Sequence, residues 1–312
     1  MKLPVYRGAS ESIVRTFKRA PEIHGSDGFG DFEYPDTPDV ASHLQQEHAV
    51  NFLTRITREN PGELTVLSLG PMTNIALAIR MDPNFCNNVK HIIIMGGNSE
   101  EVSLNRNPIF SAQVFVCEGI GNVTAGAEFN FYCDPEAAHI CLHNMKCPIT
   151  IFPWETAFNH CRLSYEWRID ILGGIKSPQA ELMTKVERPI LEQKRYGFWG
   201  RCDPIAAAIA VNPQVATVVS ERYATVELHG SATRGALVID HLNKMDREPN
   251  IHSPIRLIGF LHVGSTRETF LLAQMDGVVG YLNGQVEWIN LCKVICMVVE
   301  LGEGLIFATN YT

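Results

Sequence analysis

The chain has 312 residues, 46% hydrophobic and 19% charged, which is enough apolar material for one sizeable globular core and too little charge for a disordered tail. A formal net charge of -8 without clustered Lys and Arg excludes a general affinity for nucleic acid, because neutralising phosphates needs a basic patch. The nine cysteines, odd in number and without short paired spacings, suit reduced thiols better than a disulfide framework and point to the cytoplasm.

In chain order, Met1-Lys2-Leu3-Pro4-Val5-Tyr6 turns polar at once with Arg7 and Gly8, so no secretory signal is read there. His24-Gly25-Ser26-Asp27-Gly28-Phe29-Gly30-Asp31 is a glycine-rich loop with a histidine and two carboxylates. Glycines let a backbone approach a ligand closely, and a plain surface turn accounts for the same residues. Residues 64–69 predict a buried strand stopped by Gly70-Pro71, and 72–80 have the spacing of a helix, with Thr73 and Asn74 at its start. Residues 91–95 predict a second buried strand ended by Gly96-Gly97. The stretch 102–118 has neither helical nor strand period and reads as an insertion.

Gly121-Asn122-Val123-Thr124 and Ala127-Glu128-Phe129-Asn130 bring two amides and a carboxylate close together. In an extended segment Glu128 and Asn130 would point to one side and the Phe129 ring to the other. A carboxylate that only accepts, beside two amides, suits vicinal hydroxyls, each of which donates and accepts; a polar strand edge is the alternative. Residues 147–152 and 216–219 are further strand candidates, and 203–211 is apolar enough to be a buried helix. Asp203 at its mouth either caps it or ligates a hard cation. The run 289–299 is interrupted by Lys293 and too short to span a bilayer, so no membrane is expected as a partner. Alternating strands and helices predict an α/β domain: an open, mainly parallel sheet flanked by helices, with motifs where strands end. Residues 1–250 are expected to form it, and 251–312 an atypical C-terminal segment.

Pro4-Val5-Tyr6-Arg7-Gly8-Ala9, His24-Gly25-Ser26-Asp27-Gly28, Leu69-Gly70-Pro71-Met72-Thr73-Asn74, Met95-Gly96-Gly97, Ala127-Glu128-Phe129-Asn130, Asp134-Pro135-Glu136-Ala137-Ala138 and Cys202-Asp203-Pro204 occur in that order. On these motifs the chain resembles the inosine-uridine preferring nucleoside hydrolases over residues 3–240. The resemblance implies a hydrolase that cleaves the N-glycosidic bond of purine or pyrimidine nucleosides to ribose and free base through a metal-activated water. The family binds one calcium ion, and homo-oligomers are common in it. Carried over by motif, Asp203 and the Thr73 carbonyl fall to the metal, and Met95, Asn122, Glu128 and Asn130 to the ribose. His24 falls near the substrate's entry. Cys202 falls at the departing base, where many members carry histidine, which places the chain in the cysteine-containing subgroup.

The family's Asp-x-Asp-x-x-x-Asp-Asp turn, source of the general base and most calcium carboxylates, does not occur among the 312 residues. The chain is therefore expected to be an N-terminally truncated member without the family's first strand, carrying an insertion and an ending unlike the family's after Asp240. One carboxylate and one carbonyl fall short of the six to eight or so oxygens that calcium takes, and a positioned base is worth roughly 10² to 10⁴ in rate. Impaired catalysis is the expectation; a non-catalytic nucleoside- or ribose-binding protein, or a truncated isoform without function, is the alternative.

Overall fold

The computed structural model describes residues 4–16, 20–27, 30–33, 44–99, 120–160, 162–194, 197–200, 202–257, 295–301 and 304–310. The stretch 102–118 lies outside them, as do Gly28 and Phe29 of the glycine-rich loop. Among the described residues the strands are β1 (Val5–Arg7), β2 (Leu44–His48), β3 (Leu64–Ser68), β4 (Val89–Met95), β5 (Ile149–Phe152), β6 (Ala216–Arg222), β7 (Ala224–Val226), β8 (Leu237–Ile239), β9 (Ile251–Leu257), β10 (Ile295–Leu301) and β11 (Gly304–Asn310). The α-helices are α1 (Pro21–His24), α2 (Ala49–Glu59), α3 (Thr73–Met81), α4 (Phe85–Asn88), α5 (Phe129–Cys133), α6 (Pro135–Asn144), α7 (Trp154–His160), α8 (Pro178–Gln193) and α9 (Asp203–Val211), with a π-helical turn over Trp167–Leu172.

Nine strands form one sheet in the order β2-β1-β11-β10-β3-β4-β5-β9-β6, and β7 and β8 pair separately. The pairings β2–β1, β1–β11, β3–β4, β4–β5 and β5–β9 are parallel, while β10 and β6 run against their neighbours. The expected open, mainly parallel sheet flanked by helices is what forms. Residues from 251 onward add β9, β10 and β11 to it, and the β10–β11 hairpin lies between β1 and β3.

The near-continuous apolar runs of β3 and β4 follow from burial on both sheet faces, as parallel strands require. Successive side chains alternate: Ile92 and Ile94 enter a core with α2, α3 and α6, whereas Ile93 and Met95 enter a second one with Phe152 and α9. Helix α2 shows why these segments coil. Its apolar residues Val50, Phe52, Leu53 and Ile56 recur on one buried face, Arg55 and Glu59 stay in solvent, and the His48 ring accepts the Val50 N–H to cap the first turn. Helix α9 runs over the residues its apolar composition predicted, but only Ala206 and Ile209 are deeply buried. It lies one face down on the sheet, and its small alanines need little further cover. A third apolar cluster, with Leu163, Tyr165, Trp167, Leu172, Leu191 and Trp199, holds the π-helical turn and α8 together.

Candidate functional site

The C-terminal ends of β3 and β4 carry motif residues: Thr73 and Asn74 follow β3, and Met95-Gly96-Gly97 closes β4. After β4 the chain must turn under α5, and two glycines make the turn possible. A Cβ at Gly96 would lie 2.9 Å from the Phe131 ring and 3.0 Å from Glu128 Oε2, and Gly97 has φ +76, a left-handed conformation that L-residues adopt at a cost. The Gly97 N–H donates to Glu128 Oε2 at 2.9 Å.

Glu128 differs from its expected role as one of two residues alternating along an extended strand. Only Glu128 itself is extended; Phe129 onward is helical, and Glu128 is the N-cap of α5. Its Oε2 accepts from Asn130 N at 2.9 Å and Phe131 N at 3.2 Å as well as from Gly97, satisfying amides that a helix start leaves without partners. Burial pushes the Glu128 carboxyl up from 4.5 to about 7, against the opposing pull of those three N–H donors.

Asn130, buried in the first turn of α5, donates through Nδ2 to Met95 O at 2.9 Å and Met95 Sδ at 3.3 Å. Asn122 sits on the exposed approach, and its Oδ1 accepts from Phe129 N at 2.8 Å. Met95, Asn122, Glu128 and Asn130 are thus brought together around one helix start. The described bonds use Glu128 Oε2, Asn130 Nδ2 and Asn122 Oδ1. Glu128 Oε1, Asn130 Oδ1 and Asn122 Nδ2 remain to meet a ligand, two acceptors and an amide with two donors.

Asp134, which the sequence marks only as part of a motif, ties three elements. Its carboxylate accepts the Thr73 hydroxyl at 2.6 Å, Ile13 N at 3.0 Å and, as N-cap of α6, Ala137 N at 3.1 Å. Asn74 Oδ1 accepts from Ala9 N at 2.9 Å. The two side chains that open α3 therefore fasten α6 and the exit of β1, and neither caps α3 itself. An Asp-Pro pair opening a helix was the available signal for Asp134; that its other oxygen reaches Thr73, 61 positions away, leaves no local trace.

The proposed metal side is sparse. Thr73 and Asp203 are the first residues of α3 and α9, and among the described residues no group of three or more His, Cys, Asp or Glu could hold a metal ion. One carboxylate and a carbonyl do not fit a calcium ion. Cys202 is the N-cap residue of α9 and packs, half-buried, on the cluster that contains Met95. His24 ends α1, which packs on α8. In the loop that follows, Asp31 Oδ1 accepts from Ser26 N, Ser26 Oγ and Asp27 N, while Asp27 Oδ1 accepts from Asp31 N. Both carboxylates close the turn.

In open α/β sheets ligands bind outside the carboxyl ends of the strands, which is where this polar helix start lies. A sequence profile of the family described as "Inosine-uridine preferring nucleoside hydrolase" matches residues 1–257, and the chain belongs to that family of N-glycosyl hydrolases. It is 28% identical over 261 residues to the "Inosine-uridine preferring nucleoside hydrolase" of Leishmania major, covering 76% of this chain and 69% of the relative. It is also 28% identical over 253 residues to the "Pyrimidine-specific ribonucleoside hydrolase RihA" of Salmonella schwarzengrund, covering 80% of this chain and 73% of that one. Among solved structures, "Inosine-Guanosine Nucleoside Hydrolase (IG-NH)" superposes with a TM-score of 0.69 at 29% identity, over 88% of this chain and 81% of that one. The "Purine-Preferring Ribonucleoside Hydrolase from Gardnerella vaginalis" shares the fold, with a TM-score of 0.68 at 24% identity over 88% and 80% of the two chains. No helix among the described residues is long and apolar enough to cross a membrane.

Proposed function

We propose that the helix start around Glu128 takes the ribose of a nucleoside and that these 312 residues by themselves hydrolyse its N-glycosidic bond slowly. The observation that carries the reading is the division of labour within each side chain: Glu128, Asn130 and Asn122 each spend one polar atom on the scaffold and keep another for a ligand. A carboxyl oxygen, an amide oxygen and an amide NH2 match the donors and acceptors of vicinal hydroxyls. Met95 walls the same place, and Cys202, in the Met95 cluster, is this chain's group beside a departing base.

Cleavage builds positive charge on the ribose ring. Oxygens fixed near the sugar before the reaction therefore stabilise the transition state more than the ground state. In this family the metal supplies the activated water. Asp203 and the Thr73 carbonyl do not complete such a site. The nine cysteines, odd in number and without short paired spacings, favour a reducing compartment, the cytoplasm.

Thermal unfolding with ribose, inosine and uridine, run beside a base-release assay with and without calcium, tests the reading. Stabilisation by ribose and inosine is expected, through preferential binding to the folded state, with base release roughly 10² or more below that of a member bearing the aspartate turn. Failure of all three ligands to stabilise the chain would refute ribose recognition; fast calcium-dependent release would refute the impairment.

A further inference from the structure

Glu155 lies outside the ribose set and is almost fully buried at the start of α7. A carboxylate in a first helical turn is ordinarily explained by the helix end itself. Here its Oε2 accepts the backbone N–H of Ser99, a residue 56 positions away, in the turn that follows β4. The neighbouring Trp154 donates its N–H to Gly97 O at 3.2 Å, so residues 154 and 155 grip the 96–99 turn at two points. The N–H of the same residue, Gly97, donates to Glu128 Oε2 at 2.9 Å.

We propose that Glu155 is a positioning residue: by holding the 96–99 turn through Ser99, it keeps the Gly97 N–H aimed at Glu128 and so orients the carboxylate that meets ribose. The ribose part of this assignment rests on the function proposed above. What matters in Glu155 is reach and an accepting oxygen, not charge. Gln keeps both, Asp keeps the charge but is one methylene short, and Met keeps the length without the acceptor.

The full chain, labelled with 15N-glycine, tests this in two readouts: the Gly97 amide resonance followed with pH in the absence of ligand, and inosine affinity by calorimetry. In the unmodified chain the Gly97 signal is expected to titrate with the Glu128 carboxyl, near 7. Glu155→Gln should preserve that titration and most of the affinity. Glu155→Asp and Glu155→Met should uncouple the Gly97 signal from Glu128 and weaken inosine binding by about tenfold or more, the scale of a lost hydrogen bond to a charged group. Either loss variant suffices if the other does not fold. If Asp behaves as the parent chain while Gln does not, or if all variants keep the Gly97 titration, the assignment is overturned. Failure of the parent chain to bind inosine would remove ribose recognition, while the Gly97 titration still reads the link from Glu155 to Glu128.

Discussion

Replacing Glu128 by Gln should make the protein's stability less sensitive to pH in a defined window. The Glu128 carboxyl is pushed by burial from its ordinary 4.5 up to about 7, so the folded state holds its proton where the unfolded chain has lost it. Stability from this group is therefore fully present below 4.5, declines as pH rises through the interval, and is gone above 7. The displacement corresponds to roughly 3 kcal/mol at its upper bound. Asp134, whose carboxyl is also raised by burial, titrates in parent and variant alike and cancels in their difference. Urea denaturation of both chains at pH 5, 6, 7 and 8 measures that difference. Glu128→Gln should gain on the parent progressively toward pH 8, because Gln keeps a carbonyl for the Gly97, Asn130 and Phe131 amides and never carries charge. A difference that does not change with pH would show that the carboxylate is solvated in the folded protein and that burial is not what sets its protonation.

Arg168 and Glu187 are an almost wholly unexposed ion pair at 2.9 Å, with the Trp199 indole N–H on the same Glu187 oxygen; Arg168→Ala strands a buried charge and should cost about 3–5 kcal/mol in urea denaturation, whereas a loss below about 1 kcal/mol would mean that water reaches the site. Thr73→Val removes the hydroxyl from Asp134 at 2.6 Å, and a loss of about 1–3 kcal/mol in Tm-derived stability is expected. Gly97→Ala combines φ +76 with a Cβ 2.8 Å from Leu237 Cδ2, so a destabilisation on the order of 1–3 kcal/mol is expected with weakened inosine binding; unchanged calorimetric affinity would detach the 96–99 turn from the ribose site.

The fold was legible wherever a segment's own residues decide its structure. The apolar runs that become β3, β4 and β5 stand between breakers, and both ends of α9 coincide with the span read from composition. Phe129–Cys133 was not legible, because Phe-Asn-Phe-Tyr-Cys favours a strand by propensity and one extended residue, Glu128, conceals a capped helix behind it. Met95, Asn122, Glu128 and Asn130 were found through the motifs and do converge. Asp134 on Thr73, Arg168 on Glu187 and Glu155 on Ser99 were hidden for one shared reason: each joins residues well separated along the chain, and a pair of ordinary polar letters carries no sign of its partner.

The β10–β11 hairpin has a consequence for how the chain assembles during synthesis. Val5 pairs with Phe307, and Ser68 with Met297, so β1 and β3 complete their hydrogen bonds only with residues made much later. Until residues 295–310 leave the ribosome, β1 and β3 present unpaired edges in the middle of the future sheet, and such edges invite pairing with other chains. Closure at such sequence separation is slow, which makes the hairpin the step at which a nascent molecule commits either to its own sheet or to aggregation.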